Sequence, residues 1–438
     1  MKKDTEKKQL ATSSQDESVQ KHEKIPSPLK ELETIAQSDS RSRTFHWSRL
    51  LGTLLLVCVI GGGGAFIHYL DTSHNGISAR PTSLATQNRS GWCRLPIIGL
   101  DTSIGTPSIK DVVAVSTNDV WAVGTLGNRS LVEHWDGVRL AVTSSPHNEG
   151  DSEQLMGVAA IATNNVWAVG ITITPSPGLS TVHPLIEHWD GHQWRAVPGS
   201  AAVSGNGGLL QSIAAVSSDD VWSVGYTAQN GTIVALIEHW DGHKWSIVPV
   251  PVSMQKIALT TIAAISKGDI WVAGTSTDAK SVPTVAHWDG SRWSIASNFS
   301  LKGNITYPVV LSTSAANNIW LLARKTSGQS WFAHWNGTQW QMVSGPLLKP
   351  TEWLTRIVAI APDDAWAVGG ATALGDSEIS GQTIMEHWDG KSWRLVSQIQ
   401  PETGGFSAIA AIDHKIWLFG TAYRGLQQIP DQLTERTC

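Results

Sequence analysis

Six histidines recur along the chain in the same short phrase, and regularly spaced imidazoles could in principle bind metal ions. Each is followed by tryptophan, by aspartate or asparagine, and by glycine. The histidines are His134, His188, His239, His287, His334 and His387. A metal site needs several ligands around one ion, whereas residues that recur once in each of several repeats are spread over the fold. We therefore expect structural histidines, hydrogen-bonded to a neighbouring strand or loop, and no metal or cofactor.

Carboxylates recur in the same phrase and could act as general acids or bases. Glutamate precedes the histidine in four of the repeats, and an aspartate usually follows the tryptophan. These glutamates are Glu133, Glu187, Glu238 and Glu386. A catalytic site is asymmetric, but these positions repeat regularly, so we predict no catalytic residue among them.

A second phrase, a hydrophobic residue followed by tryptophan and usually by a Val/Ala-Gly run, appears seven times. Its tryptophans are Trp121, Trp167, Trp222, Trp271, Trp320, Trp366 and Trp417. A period of about 50 residues with strand-like patterning is typical of an all-β propeller, whose blades bury their faces only against each other. In the repeat from Gln211 to Pro249, we predict strands a to d over residues 212–217, 221–225, 235–240 and 245–248. The tryptophans are expected to pack between neighbouring blades.

The seventh repeat has no outer strand of its own, because residues 433–438 align with strand c. Residues 91–96 match the missing strand d in spacing. We therefore expect a seven-bladed β-propeller over residues 91–438, with the last blade closed by the N-terminal strand. Cys93 and Cys438 would then lie on adjacent strands, about two residues off direct register, and a disulfide is predicted. Two unpaired buried thiols are the alternative.

Residues 50–70 contain no Asp, Glu, Lys or Arg and would span roughly 31 Å as a helix, close to the thickness of the bilayer core. Three arginines, Arg41, Arg43 and Arg49, precede this segment. The positive-inside rule then predicts a single-pass protein of the cell membrane, with a cytoplasmic N-terminus and an extracytoplasmic propeller. A cleaved signal peptide is the alternative. Residues 1–49 are predicted to be a disordered cytoplasmic tail, and residues 71–90 a stalk or linker.

Loop lengths point to a candidate binding surface. The a–b and c–d connections are short, whereas the b–c and d–a connections vary and should emerge on one face, which we call the long-loop face. Its candidate ligand-face residues are Tyr226, Tyr307, Trp353, Phe406 and Tyr423. These aromatic side chains could stack on a sugar ring or a protein partner; alternatively, each covers its own blade. A net charge of −5 and a pI near 6.3 argue against nucleic acid as a partner.

The repeat resembles two groups of known propellers. The step Asp241-Gly242-His243-Lys244-Trp245 resembles the Asp-box turn of sialidase-type propellers, although it lacks the upstream Ser/Thr and one residue of spacing. The glycine after strand b is similar to the kelch and galactose-oxidase-like group. The resemblance covers residues 91–438 and implies a propeller of a bacterial membrane-anchored type. Sialidase chemistry would need clustered arginines with a Tyr–Glu pair, and galactose-oxidase chemistry a Cys–Tyr copper site; neither can be assembled here.

These observations predict a non-catalytic, monomeric binding or scaffolding module for a protein or carbohydrate ligand. The alternative is a carbohydrate-active propeller enzyme, a hydrolase or lyase. An acidic pair with perturbed titration at the mouth of the axial channel would favour the enzyme, whereas aromatic residues alone would favour binding.

Overall fold

The computed structural model describes most of the region predicted to form the propeller. The described residues are 86–87, 92–178, 180–200, 207–229, 231–277, 283–296, 305–325, 330–349, 351–371, 383–396, 403–424 and 429–437. Of these, only the backbone is described for residues 86–87, 305–308, 403, 422–424 and 429–436. The predicted tail, membrane span and most of the stalk lie outside the described residues. Among the described residues, no helix has the length and apolar character needed to cross a membrane.

The described chain is built from short strands and two 3-10 turns, Thr102–Ile104 and Val252–Met254. The first strands are β1 (Thr86–Gln87), β2 (Trp92–Arg94), β3 (Ile97–Ile98), β4 (Pro107–Ser116), β5 (Asp119–Leu126), β6 (Arg129–Trp135) and β7 (Leu140–Val142). The second repeat contains β8 (Ser152–Ala162), β9 (Asn165–Thr174), β10 (Thr181–Trp189) and β11 (Trp194–Ala196). The third contains β12 (Gly208–Ser217), β13 (Asp220–Gln229), β14 (Thr232–Trp240) and β15 (Trp245–Ile247).

The remaining repeats follow the same order. The fourth contains β16 (Ile257–Ser266), β17 (Asp269–Ser276), β18 (Pro283–Trp288) and β19 (Trp293–Ile295). The fifth contains β20 (Ile305–Ala315), β21 (Asn318–Lys325), β22 (Ser330–Trp335) and β23 (Trp340–Val343). The sixth contains β24 (Glu352–Ala361), β25 (Asp364–Ala371), β26 (Thr383–Trp388) and β27 (Trp393–Leu395). The last strands are β28 (Thr403–Ile412), β29 (Lys415–Arg424) and β30 (Ile429–Thr437).

Within a repeat, the four strands pair in sequence order as an antiparallel meander. The third repeat is representative, since β12, β13, β14 and β15 form one four-stranded sheet. In the first repeat, β3 adds to the outer strand β7 in parallel, which makes that sheet five-stranded. Sheets of this kind that pack face to face on their neighbours define an all-β propeller, as predicted.

The predicted count of seven separate blades is wrong for the described strands, which form six sheets. The strands of the last two repeats belong to one nine-stranded sheet, because Gly370 of β25 pairs with Gly405 of β28. Neither residue has a side chain, so the two backbones can approach closely at this point. A Cβ added to Gly405 would lie 3.2 Å from the Gly370 Cα atom.

The N-terminal strand completes the final set of strands, as predicted. Strand β2 pairs with β30, and Cys93 lies opposite Arg436. Cys438 lies outside the described residues, two positions beyond Arg436 in the sequence. The predicted offset of Cys438 from direct register and the Cys93–Cys438 disulfide both stay predictions.

A close approach of the two inner strands explains the glycine that follows the tryptophan in strand b. A Cβ added to Gly124 would collide with the Ser108 carbonyl oxygen, and one added to Gly225 would collide with the Leu209 carbonyl. Opposite this position, the inner strand contains a bulge. The fifth repeat has Ala323 instead, and its bulge spans residues 307–308.

Tryptophans join consecutive repeats, as predicted. The indole of Trp121 in β5 lies 5.0 Å from that of Trp189 and 5.5 Å from that of Trp194, both in the second repeat. The contact recurs between Trp167 and the third repeat, and it crosses the closure of the ring, where Trp417 lies 5.4 Å from Trp135. Each indole buries a large apolar area that no single repeat could cover.

Candidate functional site

The six recurring histidines are structural. In each, Nε2 lies 2.7–2.9 Å from a side-chain oxygen of the first residue of strand b, which is aspartate or asparagine. The imidazole also stacks on the strand-b tryptophan, as His134 does on Trp121 with centroids 3.9 Å apart. The predicted hydrogen bond to a neighbouring strand is thereby confirmed. Within the described ranges, no three His, Cys, Asp or Glu side chains come close enough together to bind a metal ion.

Short turns form the face opposite the long loops. In the third repeat, Asp241 Oδ1 accepts hydrogen bonds from the amides of His243 and Lys244, each at 2.9 Å. These backbone hydrogen bonds hold the pKa of Asp241 below its usual value. The following Gly242 has a φ of 91°, a conformation that glycine adopts more readily than residues with a side chain. The same geometry recurs from repeat to repeat, so this face presents no distinct site among the described turns.

At the long-loop end of each repeat, the strand register places one residue of strand b beside one residue of strand a of the next repeat. The residue types in this pair differ between repeats, and one pair is unlike the others. Between the second, third and fourth repeats these positions are apolar and packed together, with Ile171, Leu209, Tyr226 and Ala258 in one cluster. Between the sixth repeat and β28 they are Gly370 and Gly405. Between the fifth and sixth repeats, by contrast, the pair is a cation and an indole.

That pair is Arg324 of β21 and Trp353 of β24. The guanidinium carbon lies 5.6 Å from the centroid of the indole, within the range of a cation–π contact. Both side chains are half-buried. Burial lowers the pKa of Arg324 from its usual value. A guanidinium nevertheless stays protonated in proteins, so the residue carries a positive charge. The hydroxyl oxygen of Ser330, which lies opposite Arg324 in the strand register, is buried with no hydrogen-bond partner among the described residues.

The structure separates the five candidate ligand-face residues. Tyr226 and Phe406 are each only 1% exposed, so the prediction that they present their rings to a ligand is wrong. Both pack into hydrophobic clusters, which corresponds to the alternative that each aromatic ring covers its own repeat. Tyr307 lies in β20 and Tyr423 in β29, but their side chains are outside the described part. Trp353 alone of the five is described with a partly exposed side chain.

An acid and a cation lie on the inner strands that line the axial channel. Asp111 in β4 and Arg356 in β24 occupy the same position of their inner strands, next to the bulge. Arg356 Nη2 donates to the Lys110 carbonyl at 2.7 Å, and Asp111 Oδ2 accepts from the Val158 amide at 3.0 Å. Burial raises the pKa of Asp111, while the positive charge of Arg356 opposes the rise. The hydrogen bond from Arg356 to Lys110 thus joins β24 to β4 across the channel.

The four glutamates that precede the histidines are fully buried. Burial raises the pKa of Glu187 and of Glu238 to about 7, and that of Glu386 to about 8. Glu238 accepts a hydrogen bond from the Ser200 amide at 3.2 Å. Both oxygens of Glu386 are buried with no partner among the described residues. These four side chains therefore do not line an open surface in the described structure.

Sequence reasoning missed Arg324, Asp111 and Arg356. A signal for Arg356 was present, because aligned inner strands carry Gly157, Ser212, Thr261 and Ala408 at the same position. A cation in a column of small residues departs from the repeat, and such departures mark asymmetric features. The tryptophans that define the repeats are common to all of them, so they give no information on features that are present in one repeat only.

Comparisons with known proteins place the chain in a structural class without naming a family. No protein-family model matches the sequence, and no curated protein matches it either. Two similar solved structures are YCF48 bound to D1 peptide, with a TM-score of 0.51 and 14% identity over 81% of this chain and 99% of that chain, and YCF48 from Cyanidioschyzon merolae, with a TM-score of 0.50 and 15% identity over 79% and 98%. A mutant Trypanosoma rangeli sialidase has a TM-score of 0.45 and 13% identity over 76% of this chain and 55% of that chain. At these identities the likeness to the two YCF48 structures shows the β-propeller fold alone.

Proposed function

We propose that the protein is a non-catalytic binding or scaffolding module that recognises a protein or glycan ligand through its long-loop face. The observation that carries this proposal is the pair Arg324 and Trp353, since it breaks the symmetry of the repeats at the long-loop end. A partly exposed indole offers a flat apolar surface for stacking, and the adjacent guanidinium adds positive charge. The structure of YCF48 with a peptide is consistent with binding by a fold of this kind.

The described acids support binding more than hydrolysis. Burial and, to a smaller extent, the neighbouring Glu153 raise the pKa of Glu187, and these two carboxylates, Glu153 and Glu187, are 3% and 0% exposed. The glycosidic bond of a carbohydrate substrate could not reach Glu153 or Glu187 without a rearrangement of the repeat. General acid–base catalysis needs the catalytic group within hydrogen-bonding distance of the substrate, which burial prevents.

The test is a glycan array, together with a pull-down of surface proteins, using the purified full chain. Trp353→Ala should weaken binding of any ligand found by about 1–3 kcal/mol, the usual range for a contact at a binding hot spot. Lys244→Ala and Arg292→Ala are matched controls in the c–d turns of the opposite face, and both should bind normally. Loss of binding in the controls with Trp353→Ala unaffected, or turnover of a glycan by the purified protein, would overturn the proposal.

The proposal includes attachment to the cell membrane through residues 50–70, with the propeller outside. It is supported by the uncharged 21-residue sequence and by the three arginines before it. A tag at residue 1 should be protected from protease added to intact cells, while a tag after Cys438 should be digested. A protein that loses the N-terminal tag on maturation would instead have a cleaved signal peptide.

We also propose the disulfide between Cys93 and Cys438. It would lock β2 onto β30 at the point where the two ends of the propeller meet. A bond that closes so long a loop should stabilise the fold by roughly 4 kcal/mol or more in the chain-entropy model. The oxidised, denatured protein should then contain only one reactive thiol, at Cys58, and Cys438→Ser should add a second at Cys93. Three reactive thiols in the unreduced wild-type protein would contradict the bond.

A further inference from the structure

The linker between the first two repeats, residues 143–151, lies on the long-loop face and is held by a buried carboxylate. The hydroxyl of Ser145 donates to Glu187 Oε2 at 2.6 Å. Glu187 belongs to β10 in the second repeat and is 0% exposed. A short hydrogen bond from an otherwise surface segment to a buried acid ties the linker to the interior of the next repeat.

A second buried carboxylate holds the same linker. Glu153 lies at the start of β8. Its Oε2 atom is 2.8 Å from His147 Nδ1, and its Oε1 atom accepts a hydrogen bond from the Asn148 amide at 3.3 Å. The backbone of the linker is fixed further by Asn128, whose side-chain amide donates to the Asp151 carbonyl at 3.3 Å. The carboxylates of Glu153 and Glu187 therefore hold the linker in place through hydrogen bonds.

The buried position of Glu187 and the nearby Glu153 both disfavour the ionised form of Glu187. Burial raises the pKa of Glu187 to about 7; the Ser145 hydrogen bond opposes the rise, and the neighbouring Glu153 adds to it. The other groups paired with Glu187 are Ala168 of β9 and Ala196 of β11, which carry no charge. His147 contributes positive charge to the cluster only while its ring is protonated. No described cation is paired directly with Glu187.

We propose that Ser145, His147, Glu153 and Glu187 form a proton-controlled latch, which holds the linker against the second repeat while Glu187 is protonated and loosens it when Glu187 ionises. The inference goes beyond ligand binding and does not depend on it, because the response is the mobility of the linker. Its consequence would be that the shape of the long-loop face changes with external pH.

The direction follows from electrostatics. Below neutrality Glu187 is neutral and can remain beside Glu153 without repulsion. Above neutrality it carries a charge that is buried and faces a second carboxylate, which is unfavourable on both counts. Exposure of Glu187 to water relieves both effects, and the least costly way to expose it is to lift the linker that covers it.

The test is hydrogen–deuterium exchange of the linker amides in the full-length protein between pH 5.5 and 8.5, corrected for the intrinsic pH dependence of exchange. The reporting amides are those of Asn148 and Asp151, which are hydrogen-bonded. In the wild type, protection should fall by up to about tenfold for each pH unit above about 7. In Glu187→Gln, protection at pH 8.5 should match that at pH 6. A flat wild-type profile, or an unchanged profile in Glu187→Gln, would overturn the latch.

Three variants separate the latch from general effects. Glu238→Gln is the matched control, because Glu238 is equally buried with a pKa of about 7 but has no described carboxylate neighbour; it should leave the linker profile unchanged. His147→Gln tests the rival sensor, and the pH dependence should persist in it. If Glu187→Gln does not fold, Ser145→Ala serves instead and should lower linker protection at pH 6 at least tenfold. Normal protection in Ser145→Ala would contradict the proposal.

Discussion

The hydroxyl of Ser407 donates a hydrogen bond to the carbonyl of Ile109 at 2.7 Å, although the two residues are 298 positions apart in the sequence. Ser407 lies in the last inner strand and Ile109 in the first, so the bond joins the two ends of the ring. Thr355 and Thr260 make the equivalent bond to the next repeat, to the carbonyls of Phe406 and Val309, each at 2.8 Å. A small hydroxyl residue at the bulge thus connects neighbouring inner strands.

Ser407→Ala should destabilise the fold by about 1–3 kcal/mol, because it leaves the Ile109 carbonyl without that donor in a region with little water. Urea unfolding of the full chain measures the loss. Ser144→Ala, at an exposed position, is the control and should change stability by less than about 0.5 kcal/mol. Equal stability of the two variants would mean that this bond contributes nothing to closure.

Asp111 and Arg356 should be energetically coupled. Removal of either charge leaves the other without its nearby opposite charge, so Asp111→Asn and Arg356→Gln should each cost about 2–4 kcal/mol. The double variant should lose less than the two single losses combined, by roughly 1–3 kcal/mol. A double-mutant cycle by chemical denaturation measures this coupling, and strict additivity would show that the two groups act independently.

Asn165→Asp should raise the pKa of His188. Burial lowers that pKa in the wild type, where the imidazole is hydrogen-bonded to a neutral amide. A carboxylate would favour the imidazolium, so the folded-state pKa should rise. The added stability would be present at acidic pH and would be lost as the pH rises through the new pKa. The Cε1–H shift of His188 by NMR reports the change, with His334, bonded to Asn318, as the unaltered reference.

Glu386→Gln should remove part of the pH dependence of stability. The folded-state pKa of Glu386 is about 8, against 4.5 for the unperturbed carboxyl. Because the folded pKa is the higher of the two, the stability linked to this proton is complete below about pH 4.5 and is lost as the pH rises to about 8. The loss is roughly 3–6 kcal/mol.

At pH 8.5 the substituted amide cannot ionise, so the Glu386→Gln variant should be more stable than the wild type, whereas near pH 4.5 it should be equal or weaker. Thermal unfolding across this range is the measurement. The exposed Glu149→Gln is the control and should follow the wild-type curve. A wild-type protein that is no less stable at pH 8.5 than at pH 5 would contradict the assignment of buried, protonated glutamates.

Much of the architecture could be predicted from local patterns. In the third repeat, the predicted strand d, residues 245–248, differs by one residue from β15, and strand c ends at Trp240 as expected. Strands a and b extend further toward the long loops, to Gly208 and Gln229. Their outer residues, such as Tyr226 and Leu209, are buried by packing between repeats, which the pattern within one repeat does not encode.

The candidate site was predicted less well, for a related reason. From the sequence, an aromatic residue near a loop can either face a ligand or cover its own blade, and Tyr226 and Phe406 occupy the layer in which one repeat covers the next. Trp353 occupies the same layer, yet it remains partly exposed beside Arg324. Whether a ring is covered depends on the residue that the neighbouring repeat places opposite it, about 30 positions away in the sequence.

The all-β propeller, the structural role of the histidines and tryptophans, and the closure by β2 follow from the sequence, because each rests on strand patterning and repetition among neighbouring residues. Contacts between repeats decided that the last two repeats share one sheet, that two candidate aromatic residues are buried, and that Arg324 meets Trp353. They also decided that Arg356 crosses the channel and that Ser145 reaches Glu187. These features arise where different repeats meet, and contacts between segments far apart in the chain leave no periodic signal in the sequence.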